Sequence, residues 1–368
     1  METPSFREST RRAKNVSQRD CESASPAALR GMVRGMDTAS LDGSKDGCQH
    51  ECLLYSGDAE FVAETLPFIR AGLDANEPVM VAVLSRKIAL LREQLGTEAG
   101  RVEFYDMERL GSNPARIIPA WQRFLDARGP SERVRGIGEP VWAGRGAAGL
   151  AECHIHEHLL NHVLEATFGF WLICPYDVSA LGANVVNEAL VTHPTFRQNG
   201  SRRPSPGHLR LDGLLNEPPG PPTNDALTFR FDGSALTALR AVVRSSVTGL
   251  GLDERAAEDL TLAVSEVAAN SVRYGGGAGS VQIWGEDGGV RCEIVDQGQI
   301  LDPLVGRRQP RPTQIGGRGL WLANQICDLV QIRSGANGTT VRLHVATGQP
   351  PRSHGRDGRA GSPDSDGG

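Results

Sequence analysis

LTLAVSEVAANSVRYG (residues 260–275), VRCEIVDQG (290–298) and IGGRGL (315–320) decide how the chain reads. In the first stretch Glu266 and Asn270 are four apart, so a helix points both to one side, while Leu260, Ala263, Val264, Val267 and Ala268 fill the other. In the second, an apolar strand ends on Asp296, with Gly298 two residues on. In the third, Gly316, Gly317, Arg318 and Gly319 open a second helical pattern. A carboxylate and an amide at that spacing suit a magnesium–triphosphate site, because Mg²⁺ takes few protein oxygens, keeps several waters and bridges phosphates. Asn270 supplies one oxygen. Glu266 acts as general base toward a water or an incoming hydroxyl. Arg273 lies one turn on, in reach of phosphate or partner.

Each cluster has a bland reading of its own. A Glu-x-x-x-Asn pair can be a wet helix face, D-x-G a strand-end turn, and a glycine run a hinge. Their order on suitable elements favours a pocket. A buried Asp296 accepts well from an exocyclic amine, and Gly298 lets backbone approach a base closely. Glycines at a helix start offer N–H groups to phosphate. Thr339 and Thr340 open the last strand and add hydroxyls. The loop Gln299–Ile315 carries Arg307, Arg308 and Arg311, and its length marks a functional lid or a disordered segment.

Around this pocket, residues 225–346 read as strand, two helices, a hairpin turned by Asp287-Gly288-Gly289, a loop, a helix and two strands. That pattern predicts an α+β two-layer sandwich, a mixed sheet with helices on one face. Upstream, residues 48–196 alternate apolar runs with helical patterns. Strands are predicted at 51–55, 78–84, 102–106, 134–137 and 170–175, with helices between and after them. Continuous apolar strands predict an α/β domain, doubly wound around a mostly parallel sheet. Residues 1–46 and 347–368 are polar and weakly patterned, and 197–224, dense in Pro, Gly and Ser, read as the linker.

Ligands of a parallel sheet bind beyond the carboxyl ends of its strands. Ser56-Gly57-Asp58, Gly138-Glu139-Pro140-Val141-Trp142 and Pro175-Tyr176-Asp177 fall there. No GxxxxGK[ST] is present, which argues against ATP hydrolysis in this half. Asp58 reads as a plain N-cap. His154, His158 and His162 share a helix face, and Cys48, His50 and Cys52 lie close in sequence. Two His at i and i+4 can bind zinc, and Cys48, His50 and Cys52 can be drawn as ligands, but HEHLLNH is not HExxH and CxxC is absent, so a solvated or hydrogen-bonded helix face and reduced thiols are the plainer readings.

The composition sets bounds. The 368 residues suggest two domains, and a net charge of −5 gives no case for nucleic acid or an anionic membrane. Seven scattered cysteines without CxxC spacing argue against a disulfide framework. No run approaches the roughly 20 apolar residues of a membrane span, and no secretory signal is evident, so the expected location is cytoplasmic.

Two resemblances add to this reading. HECLLYSGDAEF, NPARIIPAWQRFLDA, RGIGEPVWAGR and FWLICPYD resemble the MEDS sensory domain, a degenerate relative of the RecA/KaiC fold, which implies a sensing or docking role. EVAAN, DQG, GGRGL and GTT resemble the four boxes of the Bergerat ATP-binding fold, nearest its anti-sigma-factor serine kinase branch. That resemblance implies ATP and Mg²⁺ as cofactors. It implies Glu266 as catalytic base, Asn270 as metal ligand and Asp296 on adenine. Gly298, Gly317, Arg318, Gly319, Leu320, Thr339 and Thr340 line the nucleotide, with Arg273 beside them. Its implied partners are a STAS-type anti-anti-sigma protein, phosphorylated on Ser or Thr, and a sigma factor, and it allows a homodimer. The adenine box departs from the pattern at Ile300, where a second glycine would stand. Autophosphorylation on His is disfavoured, since His208 lies in the linker. The competing reading is a non-catalytic protein in which ATP only sets partner affinity.

Overall fold

The computed structural model describes residues 47–164, 167–208, 215–286, 288–311 and 317–348. The expectations for 1–46, most of the tail, Asp287 and Gly316 lie outside them.

The first domain begins with β1 (Gln49–Tyr55), α1 (Gly57–Asp74), β2 (Val79–Val83), α2 (Ser85–Leu95), β3 (Val102–Asp106), α3 (Met107–Leu110) and α4 (Ile117–Asp126). It continues with β4 (Val134–Gly138), α5 (Ala147–Leu164), β5 (Phe170–Asp177), α6 (Ala183–Thr192), β6 (Thr195–Gln198) and β7 (Ser201–Pro204). The strands line up in the order β3-β2-β4-β5-β1-β6-β7, with parallel neighbours except at the β6–β7 edge. Every residue of β2, VMVAV, is buried, because helices cover both of its faces. Along β1 the alternation sorts side chains between two cores. Cys52 and Leu54 pack with residues of α4, α5 and α6, whereas Leu53 and Tyr55 pack with those of α1 and α2.

The β6–β7 hairpin occupies part of the stretch read as linker. Asn199 and Gly200 both have positive φ, 49° and 71°, the geometry that suits a tight hairpin turn and that Asn-Gly adopts readily. Flanking Arg and Ser residues hid the strands, which sit at an edge with little apolar content.

The second domain comprises β8 (Leu227–Asp232), α7 (Leu236–Gly249), α8 (Glu254–Tyr274), β9 (Ala278–Glu286), β10 (Gly289–Asp296), α9 (Arg318–Ile326), β11 (Leu329–Gly335) and β12 (Gly338–Ala346). Its sheet has the order β11-β12-β10-β9-β8 and is antiparallel throughout. The expected mixed sheet is therefore corrected. β10 and β11 run the same way, but β12 inserts between them, so no two parallel strands touch. The three helices share one core with the sheet's inner residues Val281, Ile294, Val341 and Leu343. Helix α8 starts where the Asp253 carboxylate accepts from Ala256 N at 2.8 Å. It buries Leu260, Val264 and Val267 almost fully, each stabilising by about 1.5–3 kcal/mol. Gly275 follows its end.

The outer face of this sheet is covered in part, on its β11–β12 side. Ser334 N donates to Leu215 O at 2.8 Å, and Arg342 bonds Gly220 O, so part of the linker lies across it. The two domains meet directly as well. The Asn113 amide donates to Asn324 Oδ1 at 3.0 Å, and Arg116 reaches the carbonyls of Asn324 and Cys327 at 2.8 and 2.6 Å. No helix among the described residues is long and apolar enough to cross a membrane.

Candidate nucleotide site

Helix α8 presents Glu266 and Asn270 at the rim of its core, both half-buried. Neither side chain has a hydrogen-bond or ion-pair partner among the described residues. The start of α9 lies directly against them. A β-carbon added to Gly319 would stand 3.0 Å from Glu266 Oε2 and 3.3 Å from Asn270 Nδ2. Gly317 takes a left-handed conformation, φ 76°, at the N-cap of α9, so the chain turns sharply into the helix. Two stretches some fifty residues apart thus form one cradle of a carboxylate, an amide and a helix start.

Asp296 closes the adjoining corner. Ser271 Oγ, one residue past Asn270, donates to its Oδ2 at 2.6 Å, and Gly298 N donates to Oδ1 at 2.7 Å. Two bonds hold the carboxylate in place and leave acceptor capacity unused. Gly275 is required here, since a β-carbon on it would fall 2.6 Å from Asp296 Oδ1. Thr339 faces Asp296 across the β10–β12 ladder. Its hydroxyl donates to Gly298 O at 2.9 Å and lies 2.8 Å from Ser334 Oγ, so it braces the glycine turn.

The other predicted residues are placed less uniformly. Thr340, next along β12, faces the opposite side of the sheet from Thr339 by strand alternation, away from the helices. Leu320 is buried in the core, leaving only its backbone near the cradle. Arg273 and Arg318 are exposed, and the Arg273 guanidinium lies 5.7 Å from the Tyr274 ring.

The loop after Asp296 departs further from expectation. Arg307, read as part of a basic lid over the pocket, is turned into the first domain and buried. It donates to Glu152 Oε2 on α5 at 3.0 Å, and Arg333 of β11 pairs with Glu152 Oε1 at 2.7 Å. Leu304 packs into the first domain's core. Gly306, φ 71°, fits closely against Leu320 and accepts at its carbonyl from Asn324 Nδ2 at 2.9 Å. The first half of the loop is thereby wedged between α9 and α5. Arg308 and Arg311 are exposed. No spacing in the sequence announces Glu152, which becomes legible only as the partner of two distant arginines.

In the first domain, a cavity of about 340 Å³ opens beyond the carboxyl ends of β2, β3, β4 and β5, where two of the three predicted polar stretches lie. Lys87, Glu139, Trp142 and Asp177 help line it. Lys87 is buried and its ammonium bonds both Tyr55 OH and Glu139 Oε1. Burial raises the Glu139 carboxyl, against the pull of Lys87. Glu139 Oε2 makes no hydrogen bond among the described residues. Asp58 does not cap α1, whose N-cap is Ser56. It sits in the first turn, paired with Arg86.

The predicted histidine face is not solvated as a whole, since His158 is buried on α5 while His162 is exposed. His154, His158 and His162 form no ligand cluster among the described residues, nor do Cys48, His50 and Cys52 as a set.

Comparison with known proteins agrees with the two halves. Residues 49–194 match the MEDS family, the methanogen/methylotroph DcmR sensory domain. Residues 229–345 match the histidine kinase-like ATPase domain. A crystal structure of RsbU and RsbW domains from Mycobacterium tuberculosis is similar at 26% identity, over 35% of this chain and 34% of that one, with a TM-score of 0.28. The chain thus spans about a third of that structure's length, and the overlay is too loose to bear on the fold. The chain joins a MEDS sensory domain to a histidine kinase-like ATPase domain.

Proposed function

We propose that this protein is a signalling regulator whose second domain binds ATP with Mg²⁺ and passes the terminal phosphoryl group to a Ser or Thr hydroxyl of a small STAS-type anti-anti-sigma partner. The observation that carries this reading is the unpartnered Glu266–Asn270 pair lying against the Gly319 helix start. A half-buried carboxylate and amide left without protein partners fit a ligand that supplies them. Asn270 offers its amide oxygen to the metal, and Asp296 accepts from the adenine amine. The N–H groups of the first turn of α9 face the phosphates, with Arg273 and Arg318 at the rim. Glu266 would take the proton from the incoming hydroxyl as the new P–O bond forms to the γ-phosphorus and the bond to the β,γ-bridging oxygen breaks, with ADP leaving. Bound magnesium neutralises phosphate charge and orients the leaving group. The same domain holds a sigma factor when its small partner is phosphorylated and released. The first domain acts as the sensor, with the cavity at Lys87 and Glu139 as its ligand site, and Glu152 carries its state to the loop at Arg307.

One observation favours a second reading, in which ATP only sets partner affinity. No described side chain orients Glu266, as a general base is commonly oriented. The test is transfer of label from γ-labelled ATP to a STAS-type protein, with Glu266→Ala, Asn270→Ala and Asp296→Asn beside the parent. Kinase function requires label on the partner, lost in Glu266→Ala while ATP still binds. In Asn270→Ala, Mg-ATP affinity falls by about 100-fold, the worth of one charge-assisted contact of about 2–3 kcal/mol. ATP binding with no labelled partner gives the second reading, and no ATP binding removes both.

A further inference from the structure

Away from the nucleotide pocket, four potential metal ligands converge in the first domain. His50 comes from β1, Cys174 from the adjacent strand β5, Glu157 from α5, and His193 follows α6. All four are buried, and their ligand atoms lie within 4.8 Å of one another. We propose that His50, Glu157, Cys174 and His193 form a tetrahedral site for a divalent transition-metal ion, with zinc the cation that this donor set suits best.

Four of the six ligand separations are close to those of a coordination shell, and all lie within 4.8 Å. Donors held about 2.0–2.3 Å from a tetrahedral zinc stand about 3.3–3.8 Å apart. Here Glu157 Oε2 lies 3.1 Å from His50 Nε2, 3.4 Å from His193 Nε2 and 3.8 Å from Cys174 Sγ. His50 Nε2 and Cys174 Sγ are 3.3 Å apart.

The surroundings orient both imidazoles toward that centre. His193 Nδ1 is 2.8 Å from Ala189 O, which can only accept, so the proton sits on Nδ1 and the Nε2 lone pair points into the cluster. That Nε2 is buried and lies 3.4 Å from Glu157 Oε2, too poorly aligned for a well-formed hydrogen bond. His50 Nδ1 faces Asn161 Oδ1 at 2.7 Å, and Asn161 Nδ2 donates to Thr192 O at 2.6 Å, which fixes the amide the right way round. Tyr176 OH donates to Glu157 Oε1, 3.4 Å away, leaving Oε2 for the metal. Histidine ligands are typically held by such acceptors behind the ring.

Charge and softness agree. A divalent ion with one thiolate, one carboxylate and two neutral imidazoles has no net charge, which suits a dry core. Cys174 releases its proton to solvent on binding. A thiolate with imidazoles disfavours Mg²⁺ and Ca²⁺. Four protein ligands close the shell, so the ion holds structure rather than activating water. It ties β1, β5 and α6 to α5, five residues from the Glu152 that grips the second domain. The proposal does not depend on ATP binding.

The test uses the full chain, purified without chelator. Elemental analysis should find about one zinc per chain. The chelator-stripped chain titrated with Co²⁺ should show tetrahedral d–d absorption and a sulfur-to-cobalt charge-transfer band. Cys174→Ser should remove the charge-transfer band. Asn161→Ala should weaken metal affinity about 10–100-fold. His154→Gln and His162→Gln should change neither. A folded chain that gives no tetrahedral cobalt spectrum overturns the proposal, as does a charge-transfer band that survives Cys174→Ser. Should Cys174→Ser fail to fold, the parent spectrum and Asn161→Ala decide.

Discussion

Glu152 projects from α5 of the first domain and Glu266 from α8 of the second, both long helices, yet their surroundings are opposite. Glu152 is 1% exposed and held between Arg307 and Arg333 of the other domain. Glu266 is half-buried, faces a glycine, and has no partner among the described residues. The difference separates two uses of a carboxylate. One that is buried and paired joins parts of the molecule, and its removal leaves buried cations uncompensated. One left open beside a helix start is available to a ligand, and its removal should be felt in function rather than in folding.

The largest effect expected is that of Glu152→Ala. It strands two buried guanidinium groups, so denaturant unfolding should show a loss of about 3–5 kcal/mol, with the two domains unfolding separately. A loss below about 1 kcal/mol, the size of an exposed pair, would break the comparison. Gly319→Ala comes next. Its methyl would sit 3.0 Å from Glu266 Oε2. Overpacking should cost about 1–3 kcal/mol in thermal or chemical unfolding and lower ATP affinity as well. Stability and affinity both unchanged would mean that α9 does not rest on α8 as described. The smallest effect on stability belongs to Glu266→Gln, within about 0.5 kcal/mol of the parent, because the group has no internal partner to lose. The same variant should abolish phosphoryl transfer, and a large loss of stability would reclassify Glu266 as structural.

Much of the pocket was legible before any fold was known. The four-residue step from Glu266 to Asn270 needs only helix periodicity, and Asp296 at a strand end needs only the apolar run before it. The strands of the first domain were legible for the same reason, since an element buried on both faces is apolar throughout. The β6–β7 edge was not, because its side chains are polar, and the Asn-Gly turn was the only local signal. Thr340 and Thr339 look equivalent in the sequence, and only strand alternation against a known core separates them. The basic loop was read as a lid from its length, which does not say which way its arginines face. Arg307 faces a carboxylate from 155 residues away instead.

What the sequence determined by itself is therefore local. It set the helix that carries Glu266 and Asn270, the strand that delivers Asp296, the glycines that permit α9 to begin where it does, and the alternation that builds the first sheet. These follow from backbone sterics and hydrophobic periodicity within a few turns of chain. Only the tertiary structure decided that Gly319 rests on Glu266, that Glu152 receives Arg307 and Arg333, and that His50, Glu157, Cys174 and His193 meet. Those contacts join residues tens to hundreds of positions apart, and they depend on strand order and helix packing, which no short-range spacing records.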